Sequence, residues 1–268
     1  MTKKTGWFAC ALLGVLLCTQ AAMAATVETE FYKISQRAAQ GEPAAEYELG
    51  LMYYSRPHAA DSAKGLQWLT RAAGHGYAEA QYALGSIYAT GRNVGKDAEQ
   101  AFNWYSKAAE QGLAKAQYNL AVLYTQGTGV AQSDSKAFDW VQKAAEQGMP
   151  DAQYLLAMMY GSGKGKALDY AQAFKWSQKS AAKGNPAAQH LLAALYFEGK
   201  GTLENKSQAL KWYTKAAEQA YAPAQFNLGL MYAKGDGVPQ DKARAMEWLK
   251  KAQQQGLTQA GQVLAALQ

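Results

Sequence analysis

Residues 224–256 read AQFNLGLMYAKGDGVPQDKARAMEWLKKAQQQG, and this pattern returns along the chain every 36 residues. Tryptophan is its clearest marker. It recurs six times at this step, as Trp68, Trp104, Trp140, Trp176, Trp212 and Trp248. A fixed period of this size is typical of stacked repeats, in which each unit packs on the next through the same anchor. The period therefore predicts a repeat protein.

Each period contains two helical segments. The first, helix A, begins with a pair such as Ala224-Gln225 and reaches a tyrosine such as Tyr232; the second, helix B, contains the tryptophan and closes on a glycine such as Gly256. Glycine suits the left-handed position after a helix. Ala220 replaces this glycine in the fifth period, so we expect helix B to end less sharply there. A residue type that caps helix starts precedes each tryptophan by seven positions. These residues are Asp61, Asp97, Ser133, Asp169, Asn205 and Asp241.

The fold that this pattern predicts is all-α, a right-handed α-solenoid of antiparallel helix pairs. No alternating apolar run predicts a strand. Six pairs are expected, preceded by half a unit at about residues 27–40 and followed by a C-terminal capping helix from Ala260 to Gln268. The predicted domain boundaries are a signal peptide at 1–24 and the solenoid at 25–268.

The repeated motif resembles the Sel-one-like repeat family, which is related to the tetratricopeptide repeats. The resemblance lies in Ala-Gln-x-x-Leu-Gly-x-x-Tyr, Gly-x-Gly-Val-x-x-Asp and Ala-x-x-Trp-x-x-Lys-Ala-Ala-Glu-Gln-Gly, over about residues 30–268. It implies an adaptor that acts in envelope assembly, signalling or host contact. Some cysteine-rich relatives have been linked to β-lactam binding or hydrolysis, but their repeats carry cysteines that are absent from residues 25–268 of this chain.

The first 24 residues predict a secretory signal peptide. Lys3 and Lys4 precede an apolar run from Trp7 to Cys18, and small residues surround a cleavage point after Ala24. The run is about a dozen residues long, which is short for a bilayer span. We therefore expect no stable membrane span after cleavage, and a periplasmic or secreted protein. A retained anchor, or a lipid on Cys18, is the alternative; the latter would need a small residue just before the cysteine.

No catalytic, cofactor-binding or metal-binding residue is expected. The histidines His58, His75 and His190 are not spaced as metal ligands, so we expect them to be surface or packing residues. The formal charge is +6, without a basic block, and an exported chain is not expected to bind nucleic acid. The oligomeric state stays open.

The predicted binding surface lies on helix A. Counted from its alanine as zero, offsets 0, 4, 5, 7 and 8 keep small or apolar residues and predict the core, whereas offsets 3, 6 and 10 differ between repeats. Helix A typically lines the concave side of such solenoids. The predicted protein-binding residues are Asn119, Val122, Leu155, Met158, Leu191, Ala194, Asn227 and Leu230. The alternative is that neighbouring turns of the solenoid cover them.

The leading hypothesis is therefore an exported, periplasmic scaffold without enzymatic activity, which binds a protein or peptide through the concave helix-A face. Two alternatives stay open: a secreted factor that binds a host protein, and a weak β-lactam or cell-wall hydrolase.

Overall fold

The computed structural model of the protein describes residues 29–56 and 58–267, so the predicted signal peptide lies outside the described residues. The described chain consists of helices and turns, without a strand. Helix α1 covers residues 29–39. The later helices are α2 (Pro43–Tyr54), α3 (Ala59–Gly74), α4 (Ala78–Thr90), α5 (Ala98–Glu110), α6 (Ala114–Gln126), α7 (Asp134–Glu146), α8 (Pro150–Ser162), α9 (Tyr170–Ala182), α10 (Pro186–Glu198), α11 (Lys206–Glu218), α12 (Ala222–Lys234), α13 (Lys242–Gln254) and α14 (Thr258–Leu267).

The even-numbered helices from α2 to α12 are the predicted A helices, and the odd-numbered helices from α3 to α13 are the predicted B helices. The chain divides into two compact units, Met1–Gln111 and Gly112–Gln268. The first contains α1 to α5 and the second α6 to α14. From α2 onwards, each helix packs on its neighbours in the chain within each unit. The predicted all-α fold of repeated helix pairs is confirmed.

Side-chain caps fix the start of most B helices. The side chain of Asp97 accepts a hydrogen bond from the backbone N–H of Gln100. Ser133, Asp169, Asn205 and Asp241 cap their helices in the same way. The prediction for Asp61 is wrong, because α3 begins at Ala59 and Asp61 lies inside its first turn. The shorter preceding link lets this helix start earlier, so its N-cap position falls on His58.

The expectation for Ala220 is also wrong. Helix α11 ends at Glu218 and is 13 residues long, as are α5, α7, α9 and α13. Ala220 adopts the left-handed conformation with a φ of 59°, which the equivalent glycines also adopt. Its N–H donates to the carbonyl of Ala217, and the next N–H, of Tyr221, donates to Ala216. The hydrogen bonds that end the helix impose this backbone on a residue with a Cβ.

Of the predicted core offsets of helix A, 0, 4 and 5 are buried in every repeat and 7 is buried in all but α2, whereas the tyrosine at offset 8 is half-buried except in α6. In α4, Ala80, Leu84 and Ile87 contribute to one cluster together with Leu69 and Ala72 of the preceding helix. The tryptophans pack on such clusters from the edge. Trp104 borders this cluster, and Trp212 and Trp248 border the one formed by α10, α11 and α12. They therefore join neighbouring helix pairs inside a unit, as the period predicts.

In the Gly-x-Gly links that contain Gly165 and Gly201, the second glycine lies close to the previous repeat. Gly201 has a φ of 72°. A Cβ at this position would meet the backbone oxygen of Tyr170, the first residue of α9. Gly165 lies in the same way against Asp134, the first residue of α7. These glycines allow two links to approach the neighbouring helix ends closely.

A buried glutamine connects three helices in most repeats. Gln81 on α4 donates through Nε2 to the carbonyl of Ala73 on α3, and its Oε1 accepts a 2.7 Å hydrogen bond from Gln111 at the end of α5. We call the side-chain pair a glutamine rung. Equivalent rungs of 2.8 Å are Gln117–Gln147, Gln189–Gln219 and Gln225–Gln255. Since a buried amide needs hydrogen-bond partners, each rung fixes the register of its helices.

Candidate functional site

Two adjoining cavities lie along the A helices of the second unit. The α8–α10 cavity has a volume of about 250 Å³. Met158 on α8 and Leu191 and Ala194 on α10 supply its apolar wall. Met158 stands at offset 6 of one A helix and Leu191 at offset 3 of the next, so the repeat itself places these offsets side by side. Met158 is 42% exposed and therefore accessible to a partner.

The α10–α12 cavity has a volume of about 380 Å³. Its apolar walls are Ala194, Phe197, Leu230 and Met231. Ala194 stands at offset 6 and is shared with the α8–α10 cavity. The two cavities share Ala194 and Glu198 and therefore lie next to each other along α10; we call the pair the A-helix groove.

A polar cluster lines one part of the α10–α12 cavity. Nδ2 of Asn227 lies 2.9 Å from Nε2 of His190, and the rings of His190 and Tyr213 lie 5.4 Å apart. Burial lowers the pKa of His190 below its ordinary value of 6.5. The imidazole is therefore neutral at pH 7, and Nε2 accepts the hydrogen bond from the Asn227 amide while Nδ1 carries the proton.

Tyr213 completes this polar cluster. Burial raises the pKa of the Tyr213 hydroxyl to about 12, and a hydrogen bond with Asn227 partly offsets the effect. The hydroxyl therefore stays protonated at neutral pH. No other A helix from α2 to α12 has a histidine at the position of His190; the others have Tyr47, Tyr82, Tyr118, Tyr154 and Phe226.

Most charges at the rim of the α10–α12 cavity are paired. Glu198 lies 2.6 Å from Nζ of Lys200, and Asp236 lies 3.0 Å from Nζ of Lys206. These hydrogen-bonded carboxylates raise the pKa of both lysines. Lys234 also lines the cavity and has no carboxylate within 4.0 Å among the described residues. Apolar walls, convergent polar groups and one unpaired cation are features of a binding site.

The structure brings together five of the eight predicted protein-binding residues. Met158, Leu191, Ala194, Asn227 and Leu230 line the A-helix groove. Asn119, Val122 and Leu155 are half-buried and line neither cavity.

Sequence reasoning predicted Asn227 but missed the other two members of the polar cluster, His190 and Tyr213. His190 was expected to be a surface or packing residue; it does pack on Tyr213 and Tyr221, but it also lines the cavity. The sequence did offer one indication of this site, because His190 stands where the other A helices have a tyrosine or phenylalanine. Lys234 stands at the variable offset 10, but the sequence does not show whether its charge is free, because that depends on which neighbouring ions pair.

The first unit has a cavity of its own, which the sequence did not predict. It measures about 370 Å³ and lies between α2 and α4. Its lining includes Tyr47, Tyr54, Tyr82, Leu51 and Arg92. The guanidinium of Arg92 lies 5.7 Å from the ring centre of Tyr54, and the Tyr54 hydroxyl donates to the Arg92 carbonyl.

Within residues 29–56 and 58–267, no group of three or more His, Cys, Asp or Glu side chains could hold a metal ion. Over the same residues, no helix combines the length and the apolar character that crossing a bilayer requires.

The family described as Sel1 repeat matches six consecutive segments, residues 43–77, 78–113, 114–149, 150–185, 186–221 and 222–257. A protective antigen present in uropathogenic Escherichia coli strains, which displays an SLR fold, is 34% identical with a TM-score of 0.82. That match covers 88% of this chain and 51% of the antigen, so this chain spans about half of its length. A Sel1 repeat protein from Oxalobacter formigenes is 32% identical with a TM-score of 0.74, over 83% of this chain and 87% of that one. No curated protein matches the sequence. The six matched segments and these structural relatives show that the chain belongs to the Sel1 repeat family.

Proposed function

We propose that the protein is an exported adaptor without enzymatic activity, which holds a segment of a partner protein in the A-helix groove. Sel1 repeats fit a role in protein–protein interaction and generally form a non-catalytic scaffold. One observation carries the proposal: residues that vary between repeats at offsets 3 and 6 line two adjoining cavities, while the core offsets around them stay uniform. Variation among the residues that line an accessible groove supports a specific partner.

The size of the groove favours an extended segment as the occupant. Cavities of about 250 and 380 Å³ lie at or below the lower end of the range for small-molecule pockets. Each suits one large side chain. Two adjoining cavities along successive A helices suit two anchor side chains of one peptide segment, which is how solenoid surfaces bind elongated ligands.

Export is proposed from residues 1–24 and from the absence of cysteine in residues 25–268. The relative described as a protective antigen supports an address that host immunity can reach. We propose a periplasmic adaptor; secretion, with binding to a host protein, is the alternative. N-terminal sequencing of the mature protein should begin at Ala25, and cell fractionation should place it in the periplasm. Recovery from the culture medium would favour secretion, and an intact N-terminus in the cytoplasm would refute export.

In-cell crosslinking tests the groove. A photoreactive benzoylphenylalanine replaces Met158 in one variant and Leu230 in another, and adducts are identified by mass spectrometry. Lys211, which is exposed on α11 outside the groove, is the control position. We expect both groove positions to give the same discrete protein adduct and Lys211 to give none. Equal labelling at all three positions, or no adduct in the groove, would show that the groove is not the binding surface.

A nitrocefin assay on the purified mature chain tests the proposed lack of β-lactamase activity. We expect no hydrolysis above buffer. Turnover that increases in proportion to the protein concentration would overturn this part of the proposal.

A further inference from the structure

The two units differ in charge. Residues 29–111 contain 8 Lys and Arg against 9 Asp and Glu, a difference of −1, whereas residues 112–267 contain 17 against 11, a difference of +6. The A-helix groove belongs to the basic unit. A field of this sign attracts acidic partners and raises their association rate.

Many basic side chains of the second unit already contact an aromatic ring or a carboxylate within the protein. The B-helix lysines lie over the indole rings at 3.9 to 4.3 Å from the ring centre, as at Lys143, Lys179, Lys215 and Lys251. Lys200 and Lys206 pair with carboxylates beside the groove. These lysines are therefore less available to a partner, although the unit as a whole keeps its positive charge.

Lys234 differs from these lysines. It lines the α10–α12 cavity, and among the described residues no carboxylate and no aromatic ring engages its ammonium group. It stands four residues after Leu230 on α12, so both side chains lie on the same face of that helix. The Lys234 ammonium beside the apolar wall of this cavity therefore complements a partner segment in which an apolar side chain stands next to a carboxylate.

We infer that the segment bound by the A-helix groove is an acidic stretch of protein, in which an Asp or Glu pairs with Lys234 while a neighbouring apolar side chain enters the α10–α12 cavity beside Ala194 and Leu230. This inference rests on the proposed function of the groove. A nucleic acid or an anionic polysaccharide fits less well, because neither would fill the apolar walls of the two cavities.

Selection of peptides tests the inference. The purified mature chain is used to select from a phage-displayed library of short random peptides, and the best binder is synthesised together with an analogue in which Gln replaces each Glu and Asn replaces each Asp. We expect enrichment of acidic residues next to an apolar residue and weaker binding of the neutral analogue. Lys234→Gln should weaken binding about two- to fivefold, and Lys234→Glu roughly tenfold, because an exposed ion pair is lost and then replaced by repulsion.

Lys211 provides the matched control. It is exposed on the adjacent helix α11 and does not line the groove, so Lys211→Glu changes the net charge of the unit as much as Lys234→Glu does. The inference requires Lys234→Glu to weaken binding clearly more than Lys211→Glu. Equal losses, or displacement of the peptide by heparin at the same charge concentration, would show that only the general field acts.

The inference and the proposed function fail in different ways. Neutral peptides that lose affinity with Leu230→Ser, but not with Lys234→Glu, would overturn the acidic partner and leave the groove as the binding surface. Failure to select any peptide, or selected peptides that bind Leu230→Ser as well as the natural chain, would overturn both.

Discussion

Glu46 and His75 make, in the first helix pair, the contact that two glutamines make in four later pairs. Oε2 of Glu46 lies 2.8 Å from Nδ1 of His75, and Oε1 lies 2.6 Å from Nε of Arg71. Glu46 is fully buried, whereas the other two side chains are about half exposed. The first pair therefore keeps the position of the rung but replaces its two neutral amides with the Glu46 carboxylate, the His75 imidazole and the Arg71 guanidinium.

Exchange of both residues tests this equivalence. Glu46→Gln alone should lower the free energy of unfolding by about 1 kcal/mol, because Arg71 and His75 lose a charged acceptor but remain hydrated. Adding His75→Gln should restore most of that loss by creating a glutamine rung. Urea denaturation measures both steps. If the double variant were no more stable than Glu46→Gln, the two residues would not form an interchangeable rung.

The fourth helix pair lacks its rung. Oε1 of Gln153 is buried without a hydrogen-bond partner among the described residues, because Lys183 occupies the place of the second glutamine and donates to the carbonyl of Gly148 instead. In the third pair, Gln147 bonds both Gln117 and the Gly112 carbonyl at 2.8 Å.

Lys183→Gln should therefore make both hydrogen bonds and raise the free energy of unfolding by about 1 kcal/mol. Lys175→Gln removes the same charge from an exposed position on α9 and is the control in the denaturation experiment. If both variants raised the free energy of unfolding equally, the gain would come from the lost positive charge and not from a new glutamine rung.

Ala220→Gly should stabilise the protein. The left-handed conformation costs a residue with a Cβ about 1 to 2 kcal/mol, and glycine avoids that cost. The greater freedom of glycine in the unfolded chain cancels about 0.4 to 1 kcal/mol of the gain. A rise in melting temperature is expected, and the reverse change at Gly112, whose φ is 93°, should lower it. No rise for Ala220→Gly would mean that the turn is not strained.

Gly201→Ala should destabilise the second unit far more than Gly184→Ala. Both glycines have positive φ, 72° and 89°, so the conformational cost is similar. A Cβ at Gly201 meets the backbone of Tyr170, whereas nothing lies within 4 Å of a Cβ at Gly184. We expect about 1 kcal/mol for Gly184→Ala and at least about 2 kcal/mol more for Gly201→Ala, because the link must move away from α9. Equal melting temperatures would contradict the close approach.

His190 should make stability depend on pH. Burial lowers its pKa in the folded protein below the ordinary value of 6.5, so the unfolded chain binds the proton more readily. The stability that neutral His190 contributes is fully present above the pKa of the unfolded chain. It is lost as the pH falls through 6.5 towards the lower pKa of the folded protein. His190→Tyr, the residue at this position in α8, should be less sensitive between about pH 8 and about pH 5. Parallel stability profiles of the two proteins would show that His190 does not titrate in this way.

The 36-residue period predicted the helix pairs because it repeats physical requirements. Residues such as Asp97 and Ser133 cap helix starts through a local hydrogen bond, and alanines such as Ala80 fit where helices approach closely. The two errors fall where a repeat departs from the pattern. At Asp61 the link has a different length, and at Ala220 the surrounding hydrogen bonds outweigh the preference of a single residue.

The groove was predictable only in part. Met158 and Leu191 could be paired in advance because offset 6 of one A helix meets offset 3 of the next. Leu155 shares the variable offset and yet lines neither cavity, since neighbouring side chains decide where open space remains. The bond between His190 and Asn227 joins residues 37 positions apart, and one repeat read alone does not reveal it.

The neighbour-to-neighbour packing of the helices has a consequence for how the protein is made. Each helix of the second unit packs mainly on the adjacent helices of the chain, so little of its packing waits for a distant part of the sequence. Such local topologies assemble quickly. If the chain is threaded through a membrane from its N-terminus, each later hairpin of this unit can dock on the one before it as it emerges, and the order of translocation becomes the order of folding.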